Sequence, residues 1–189
     1  MSIDNPSTLH EVPFGTSVAD KPQSVFVAVT VTCALWKGDT NIPANVRDEA
    51  WPFVFLFLRW DGRIGFLGGF LEKDEHLRHR AMREAREEGN FVLSELGLIP
   101  ICTHANDHNV MHLYQYDLGD VDLDTLRKYV RLTQKGKHTI TEGTVFLAPL
   151  GTYPKGKGLP IILRSNQLAT AVREELIALC KAMKIPVPV

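Results

Sequence analysis

Cysteine is scarce in this chain of 189 residues, and its three cysteines form no motif. Cys33, Cys102 and Cys180 are odd in number, lie far apart and show no C-x-x-C spacing. A small secreted protein would need paired cysteines, so the sequence excludes a disulfide framework. Reduced thiols are typical of intracellular proteins, and we expect a cytoplasmic or nuclear location.

Long apolar runs and an excess of charge of one sign are also missing. The first 20 residues contain Asp4, His10, Glu11 and Asp20 and lack an apolar core, so they form neither a signal peptide nor a membrane span. We therefore expect no membrane partner. The formal net charge of −1 argues against a surface dedicated to nucleic acid, although local basic patches stay open.

The composition that remains supports a single folded unit. A hydrophobic content of 44% over 189 residues is enough for one globular domain, which we place at residues 23–189 after a partly ordered leader at 1–22. No internal repeat is present. Alternating or β-branched patterns predict strands at residues 25–36, 53–59, 63–66, 97–103, 110–117 and 139–147.

Three segments have the periodicity of helices. Capping residues and apolar spacing predict a helix at 75–88 after Asp74, a short helix at 123–132 after Asp122, and an amphipathic helix at 168–184 after Asn166. Residues 151–160 contain glycine, lysine and proline and predict a loop. Strands interspersed with helices indicate a mixed α/β fold class.

The helix at 75–88 separates apolar residues from acids. Leu77, Ala81 and Ala85 follow one another at intervals of four and form the buried stripe. On another face three acids lie together, one turn or less apart, near the negative end of the helix dipole; they are Glu84, Glu87 and Glu88. Two interpretations stay open: a solvated face paired with Arg80 and Arg83, or a site for a divalent cation such as Mg²⁺.

A glycine turn precedes this helix and completes a longer motif. Gly65, Gly68 and Gly69 permit positive φ and a close approach of the backbone to a ligand. The turn and helix resemble the Nudix box, G-x5-E-x7-R-E-U-x-E-E-x-G-U, where U is a bulky apolar residue. The matching residues are Gly69, Glu75, Arg83, Glu84, Glu87, Glu88 and Phe91. Ala85 and Asn90 depart from the pattern, but Asn still suits a left-handed helix end.

Segments outside the box resemble one branch of this family. Residues 57–66, 158–160 and 173–176, together with Asn166, are similar to the branch that decaps snoRNA and hydrolyses inosine diphosphate. The resemblance implies the α/β Nudix fold, in which a mixed β-sheet is sandwiched between helices. It also implies hydrolysis of a phosphoanhydride with Mg²⁺ or Mn²⁺.

The resemblance further implies roles for the acids. Glu84, Glu87 and Glu88 would hold the metal, and a turn carbonyl at Gly68 would complete its coordination. Glu75 would pair with Arg83 and brace the turn against the helix, although a merely structural ion pair is equally consistent. The general base stays open between Glu87 and Glu142, an isolated acid in an apolar stretch.

Substrate positions follow from the same branch. Arg59 matches an arginine near the phosphates, and Phe66 and Phe70 match aromatics that border the nucleotide, with core packing as the alternative for both. Cys33 stands in place of a purine-contacting histidine, and Glu175 stands in place of a base-contacting glutamine. Both replacements alter the donors and acceptors that read a base, so we expect no marked preference for inosine.

Two further patterns lie outside the box. His104, His108 and His112 are spaced by four residues, which would align zinc ligands in a helix, but the turn-forming residues between them favour a loop near the active-site mouth. A basic run begins in the short helix at 123–132, continues beyond it, and is either a solvated face or a track for RNA phosphates; it comprises Lys128, Arg131, Lys135, Lys137 and His138.

Together these features predict a metal-dependent Nudix hydrolase that cleaves a phosphoanhydride in a nucleotide or in a nucleotide-capped RNA. The alternative is a Nudix-fold protein that binds RNA or acts as a scaffold without turnover. Retention of every charged box residue favours the enzyme. The expected partners are a nucleotide and an RNA 5′ end, with a homodimer as a further hypothesis.

Overall fold

A computed structural model of the protein describes residues 8–18, 20–135, 143–153 and 156–187. Within this part of the chain, eight strands form one mixed sheet. The central path runs β1-β6-β7-β2-β3-β4, while β5 pairs with β2 and β8 pairs with β3. The strands are β1 (His10–Val12), β2 (Gln23–Cys33), β3 (Trp51–Arg59), β4 (Ile64–Gly65), β5 (Leu67–Phe70), β6 (Ile99–Ala105), β7 (Val110–Asp120) and β8 (Gly143–Pro149).

Helices cover both faces of this sheet. The remaining elements are α1 (Ala44–Arg47), α2 (Leu77–Gly89), a 3₁₀ turn (Glu95–Gly97), α3 (Leu123–Thr133), the small hairpin of β9 (Thr152–Tyr153) and β10 (Lys157–Gly158), α4 (Leu159–Leu163) and α5 (Val172–Ala182). None of the described helices is long and apolar enough to cross a membrane. The predicted mixed α/β class is confirmed.

Strand β2 lies at the centre because its residues suit burial on both sides. It pairs in parallel with β7 and antiparallel with β3 and β5. Val25, Val27, Val29 and Val31 point to the face that packs on α2, whereas Ala28 points to the face that packs on α5. Alternation of side chains along a strand produces this division, and β-branched residues pack well on both pleated surfaces.

The predicted leader contributes to the sheet. Strand β1 lies within residues 1–22 and pairs antiparallel with β6, so that Glu11 faces His104 across the ladder. Phe14 packs edge-on against the rings of His112 and Tyr114. These contacts attach the leader to the outer edge of the sheet.

Two predicted helix starts are wrong. Helix α2 begins at Leu77 with His76 at its N-cap, because Glu75 belongs to the preceding turn, where its backbone N–H donates to the carbonyl of Glu72. Asp74 has φ of 65° and does not cap the helix.

The second wrong start concerns α5. It begins at Val172 after Ala171 at φ 69°, and Asn166 lies in the turn between α4 and α5. The predicted loop at 151–160 is also wrong in part, since it contains the β9–β10 hairpin and the first turn of α4.

Candidate active site

Helix α2 carries the acids and buries its small residues. Ala81 and Ala85 are fully buried against β2, and Leu77 packs partly against the same cluster, as the predicted stripe requires. The helix ends at Asn90, whose φ of 54° is left-handed, and the Phe91 N–H bonds back to the Ala85 carbonyl. This ending confirms that asparagine serves where the box pattern has glycine.

The three acids differ in burial and in partners. Glu84 is 6% exposed and Glu88 is 5% exposed, whereas the side chain of Glu87 is 28% exposed. The Gly68 N–H donates to Glu88 Oε2 at 2.8 Å, which ties the helix to the glycine turn. Glu88 therefore accepts a backbone hydrogen bond in a nearly buried position.

Gly68 has no room for a side chain. A Cβ at this position would overlap the Val25 carbonyl oxygen and the Phe26 ring, since β5 runs directly beside β2 there. The close contact between β5 and β2 at Gly68 places the backbone of the glycine turn next to the acids of α2.

Arginines neutralise the acids in this structure. Arg83 binds Glu75 with Nε–Oε1 at 3.0 Å, Glu72 with Nη2–Oε1 at 2.8 Å and Glu87 with Nη1–Oε2 at 3.3 Å. Arg80 forms an ion pair with Glu84 one turn later on the helix. The contact between Glu75 and Arg83 that the resemblance implied is therefore present.

The donor set fits a hard divalent ion, although it is not gathered into a cage. No three acidic, histidine or cysteine side chains converge as a metal-binding group within the described residues. Carboxylate oxygens are nevertheless the ligands that Mg²⁺ and Mn²⁺ prefer, and sites of this kind often use few protein ligands together with substrate phosphates. Glu84, Glu87 and Glu88 present such oxygens from one helix face, next to the Gly68 backbone.

A cavity of about 450 Å³ opens beside these acids. Glu88, Gly68 and Gly69 line one side, and Arg59 and Arg63 line the mouth. Aromatic side chains supply much of the wall; they are Phe26, Phe57, Trp60, Phe66 and Phe70. An apolar cavity with a few convergent charges is typical of a small-molecule site. Three substrate positions taken from the resemblance, Arg59, Phe66 and Phe70, line it.

Cys33 does not line this cavity. It is buried at the far end of β2, opposite Trp51 in β3, while Ser24 and Phe26 near the start of β2 face the cavity. An extended strand separates Ser24 from Cys33 by about 30 Å. The family resemblance therefore assigned a substrate role to the wrong end of the strand.

Asn166 and Glu175 do not line the cavity either. Asn166 lies in the turn before α5, and the chain reaches the cavity only afterwards, through Ala169, Thr170 and Val172. Glu175 faces inward one turn beyond Val172 and is 1% exposed. Its burial raises the pKa of the carboxyl to about 8, and the neighbouring Glu174 adds to the shift.

Sequence reasoning missed several lining residues. Ser24, Asn109 and Met111 reach the cavity because β2 and β7 run in parallel with Ser24 opposite Met111. Asn109 Nδ2 also donates to Ser24 Oγ at 2.9 Å. No local pattern indicates which strands pair, so these positions had no signal in the sequence. Arg63 could have been found from its place two residues before Gly65.

Other predicted sites stand apart from this cavity. His104 and His112 lie on the neighbouring strands β6 and β7, so the helical spacing that would align zinc ligands is absent. Buried His112 bonds to Thr103 Oγ1 and Gln23 Oε1, and its burial lowers its pKa to about 4. Glu142, Lys137 and His138 lie outside the described residues.

Comparisons with known proteins agree with the motif and the fold. A family model described as Nudt16-like, U8 snoRNA-decapping enzyme-like, matches residues 45–185, which is more than half of the chain. No curated protein sequence matches significantly.

Solved structures share the fold at low identity. A mutT/nudix family protein from Listeria innocua has a TM-score of 0.58 at 14% identity, covering 86% of this chain and 94% of its own. The NUDIX domain of Shewanella oneidensis NrtR, complexed with ADP ribose, has a TM-score of 0.56 at 15% identity, covering 88% and 90%. The Bacillus subtilis pyrophosphohydrolase BsRppH has a TM-score of 0.51 at 15% identity, covering 95% and 94%.

Hydrolases of this family generally use divalent metal ions. The match over residues 45–185, the charged residues of the box and the shared fold agree with one another. The chain therefore belongs to the Nudt16-like, U8 snoRNA-decapping-like family of Nudix pyrophosphohydrolases.

Proposed function

We propose that this protein hydrolyses a phosphoanhydride bond in a nucleotide or in a nucleotide-capped RNA end, using Mg²⁺ or Mn²⁺. One observation carries the proposal. The Glu88 carboxylate on α2 bonds to the Gly68 backbone and lines the same cavity as Arg59 and the aromatic wall. The acids of α2, whose oxygens suit a metal ion, are therefore adjacent to a cavity large enough for a nucleotide.

The acids of α2 have the roles that hydrolysis requires. Glu84, Glu87 and Glu88 would hold the divalent ion, with the Gly68 carbonyl as a further ligand. When bound, the ion supplies positive charge against the phosphate oxygens and lowers the pKa of a coordinated water. The ion pair between Glu75 and Arg83 holds the turn before α2 in position against the helix. Glu87, the most exposed of the three acids, is our first candidate to accept the proton of the attacking water, with Glu142 as the second.

The cavity walls support binding of a nucleotide. Arg59 and Arg63 bring two guanidinium groups to the mouth, where they can contact phosphate oxygens. Arg59 also lies 3.4 Å from Asp61, which orients its side chain. Phe70 is 63% exposed and Phe66 is buried, so one ring can cover a base while the other forms the floor.

Support for an RNA end comes from exposed basic residues of α3 and of the turn that follows it. Lys128 and Arg131 lie on α3, Lys135 lies two residues beyond its end, and the three are exposed at intervals of three and four residues. The end of α3 is held near the end of α2, since Asn90 Nδ2 donates to the Leu132 carbonyl at 3.3 Å. A strand leaving the active site could follow this basic stripe by phosphate contacts. We call Lys128, Arg131 and Lys135 the α3 stripe.

The test is a substrate panel with product identification by mass. Nucleoside diphosphates and triphosphates, dinucleotides, ADP-ribose and capped RNA would be incubated with Mg²⁺, with Mn²⁺ and with EDTA. We expect a nucleoside monophosphate or a 5′-monophosphate RNA among the products, and no turnover in EDTA. Tight binding of a panel member without turnover in either metal would overturn the enzyme and favour a binding protein. Turnover that persists in EDTA would overturn the metal-dependent mechanism.

A further inference from the structure

We propose that Arg80 is a counter-cation of the metal site. In the metal-free protein its guanidinium pairs with the Glu84 carboxylate, and a divalent ion displaces it from this carboxylate on binding. Arg80 would then set the metal affinity as a positioning residue, without touching the substrate. Arg80 lies within the Nudix box, at one of the positions between Glu75 and Arg83 for which the pattern specifies no residue. The inference rests on the proposed function, because it assumes that Glu84 is a metal ligand.

The position of Arg80 is unusual for an arginine on a surface helix. It is only 8% exposed, and its Nη2 contacts Glu84 Oε1, four residues later on α2. Its Nε is buried and has no hydrogen-bond partner in the part of the chain that the structure describes. An unpaired buried donor costs about 1–3 kcal/mol, so the carboxylates around Nη1 and Nη2 must hold the side chain in place.

Gly69 makes space for this guanidinium. A Cβ at position 69 would stand 2.5 Å from Arg80 Nη2 and 3.2 Å from Glu84 Oε1. Any side chain there would therefore push the arginine off the acid. Gly69 thus leaves room beside Glu84 for the guanidinium, and Glu84 would be open to a divalent ion once the guanidinium moved away.

Two further acids can accept Arg80 when Glu84 is taken. Glu72 Oε1 lies 3.4 Å from Arg80 Nη1, and Glu75 Oε2 lies 3.9 Å from it. A small rotation toward these acids would release Glu84 while the guanidinium kept a charged partner. Arg83 lacks this freedom, since it already binds Glu72, Glu75 and Glu87 and lies 3.6 Å from Glu84 Oε1 through its Nη1.

The exchange has two opposite effects on the protein. Without metal, Arg80 is the nearer of two arginines that offset the charge of Glu84, so its loss leaves a buried carboxylate with only the more distant Arg83 and should be destabilising. With metal, the nearby positive charge repels the ion. Removal of the arginine charge should therefore tighten metal binding and weaken the metal-free fold.

The experiment measures Mn²⁺ affinity by calorimetry without substrate, together with melting temperature in EDTA and in Mn²⁺. Arg80→Met removes the charge, Arg80→Lys keeps it, and Arg86→Met is the matched control on the exposed side of α2. One neighbouring charge shifts an ionic equilibrium by about one to three powers of ten, so we expect Arg80→Met to bind Mn²⁺ about tenfold more tightly. Arg80→Lys and Arg86→Met should stay near the native affinity. Arg80→Met should also melt lower in EDTA and gain more from Mn²⁺.

The outcomes separate this inference from the proposed function. If the native protein binds no Mn²⁺, the proposed function fails. If the native protein binds Mn²⁺ but Arg80→Met binds equally or more weakly, only the inference fails. Tighter binding by Arg80→Lys as well would show that packing and not charge is responsible, and would also overturn it. Should Arg80→Met not fold, Arg80→Gln takes its place and is judged by the same criteria.

Discussion

Buried carboxylates on the two faces of the sheet have opposite environments. On α2, Glu84 and Glu88 are almost fully buried, yet Arg80 and the Gly68 N–H bind them. On α5, Glu175 is equally buried, but its Oε1 has no hydrogen-bond partner among the described residues. Burial alone therefore does not determine the charge of an acid, because the partners within reach decide it.

The difference matches the roles of the two faces. The acids of α2 have arginine and backbone partners, whereas the burial of Glu175 raises its pKa to about 8 and favours its neutral form below that pH. Val172, one turn before Glu175, lines the cavity that Glu88 also lines. The two buried acids thus lie near the same cavity, Glu88 in its wall and Glu175 one turn behind it.

The largest expected effect comes from displacing the turn that holds Glu88. In Gly68→Ala, the new Cβ would overlap the Val25 carbonyl, a backbone atom that cannot move away easily. Overpacking of this kind costs about 3 kcal/mol of unfolding free energy. Urea denaturation would measure it.

Gly65→Ala is the matched control for this change. A Cβ at Gly65 meets no atom within 4 Å, and its φ is not positive. We expect a change within about 0.5 kcal/mol. Equal destabilisation of both variants would show that the close approach at Gly68 does not anchor the acid face.

Glu175→Gln sharpens the comparison from the other face. Because burial raises the folded-state pKa of Glu175 from 4.5 to about 8, the folded state binds this proton more tightly than the unfolded state. The stability that the protonated Glu175 contributes is therefore present below about pH 4.5, is lost as the pH rises toward 8, and does not fall further above that pH. The variant removes this slope and should be more stable than the native protein by a few kcal/mol at pH 8.

The stability gain of Glu175→Gln should disappear near pH 4.5, where the native carboxyl is neutral as well. Thermal melts across this pH range would measure it. Equal stability of the native protein and Glu175→Gln at every pH would mean that a hydrogen-bond partner stabilises the charged form of Glu175. The difference between Glu175 and the acids of α2 would then not exist.

The smallest effect concerns the α3 stripe. Replacing Lys128, Arg131 and Lys135 by Gln should weaken RNA binding and lower the salt slope by about 1 for each phosphate that the variant no longer binds. Turnover of small nucleotides should not change. The control replaces Lys157, Lys181 and Lys184, which are exposed and lie outside α2 and α3. If both substrates lose activity together, the α3 stripe supports the fold and does not bind RNA.

The α2 side of the site could be predicted from the sequence because its geometry is local. Helical spacing alone brings Glu84, Glu87 and Glu88 to one face and buries Ala81 and Ala85. The left-handed end at Asn90 also follows from residue type. The exact start of α2 could not be predicted, since it depends on a turn whose hydrogen bond links Glu72 and Glu75.

The opposite wall could not be predicted, because it depends on strand pairing. Ser24 and Asn109 meet only because β2 and β7 pair in parallel, a long-range choice with no local signal. Cys33 was predicted to contact the substrate from its match to a distant family pattern. The pairing of β2 instead brings Ser24 and Phe26, at the other end of the strand, to the cavity. Helix α4 was missed because five residues beginning with Leu-Pro are too few to show a period.

In the proposed function, the acid face of α2, and not buried acid in general, performs the chemistry. The most direct measurement compares hydrolysis by the native protein, Glu88→Gln and Glu175→Gln in one assay with saturating Mg²⁺, after circular dichroism has shown that each is folded. We expect the rate of Glu88→Gln to fall on the order of 10²-fold or more, because one preorganised charge is removed from the reacting centre. Glu175→Gln should keep its rate within a few-fold. A native rate in Glu88→Gln, or an equal fall in both variants, would contradict the account.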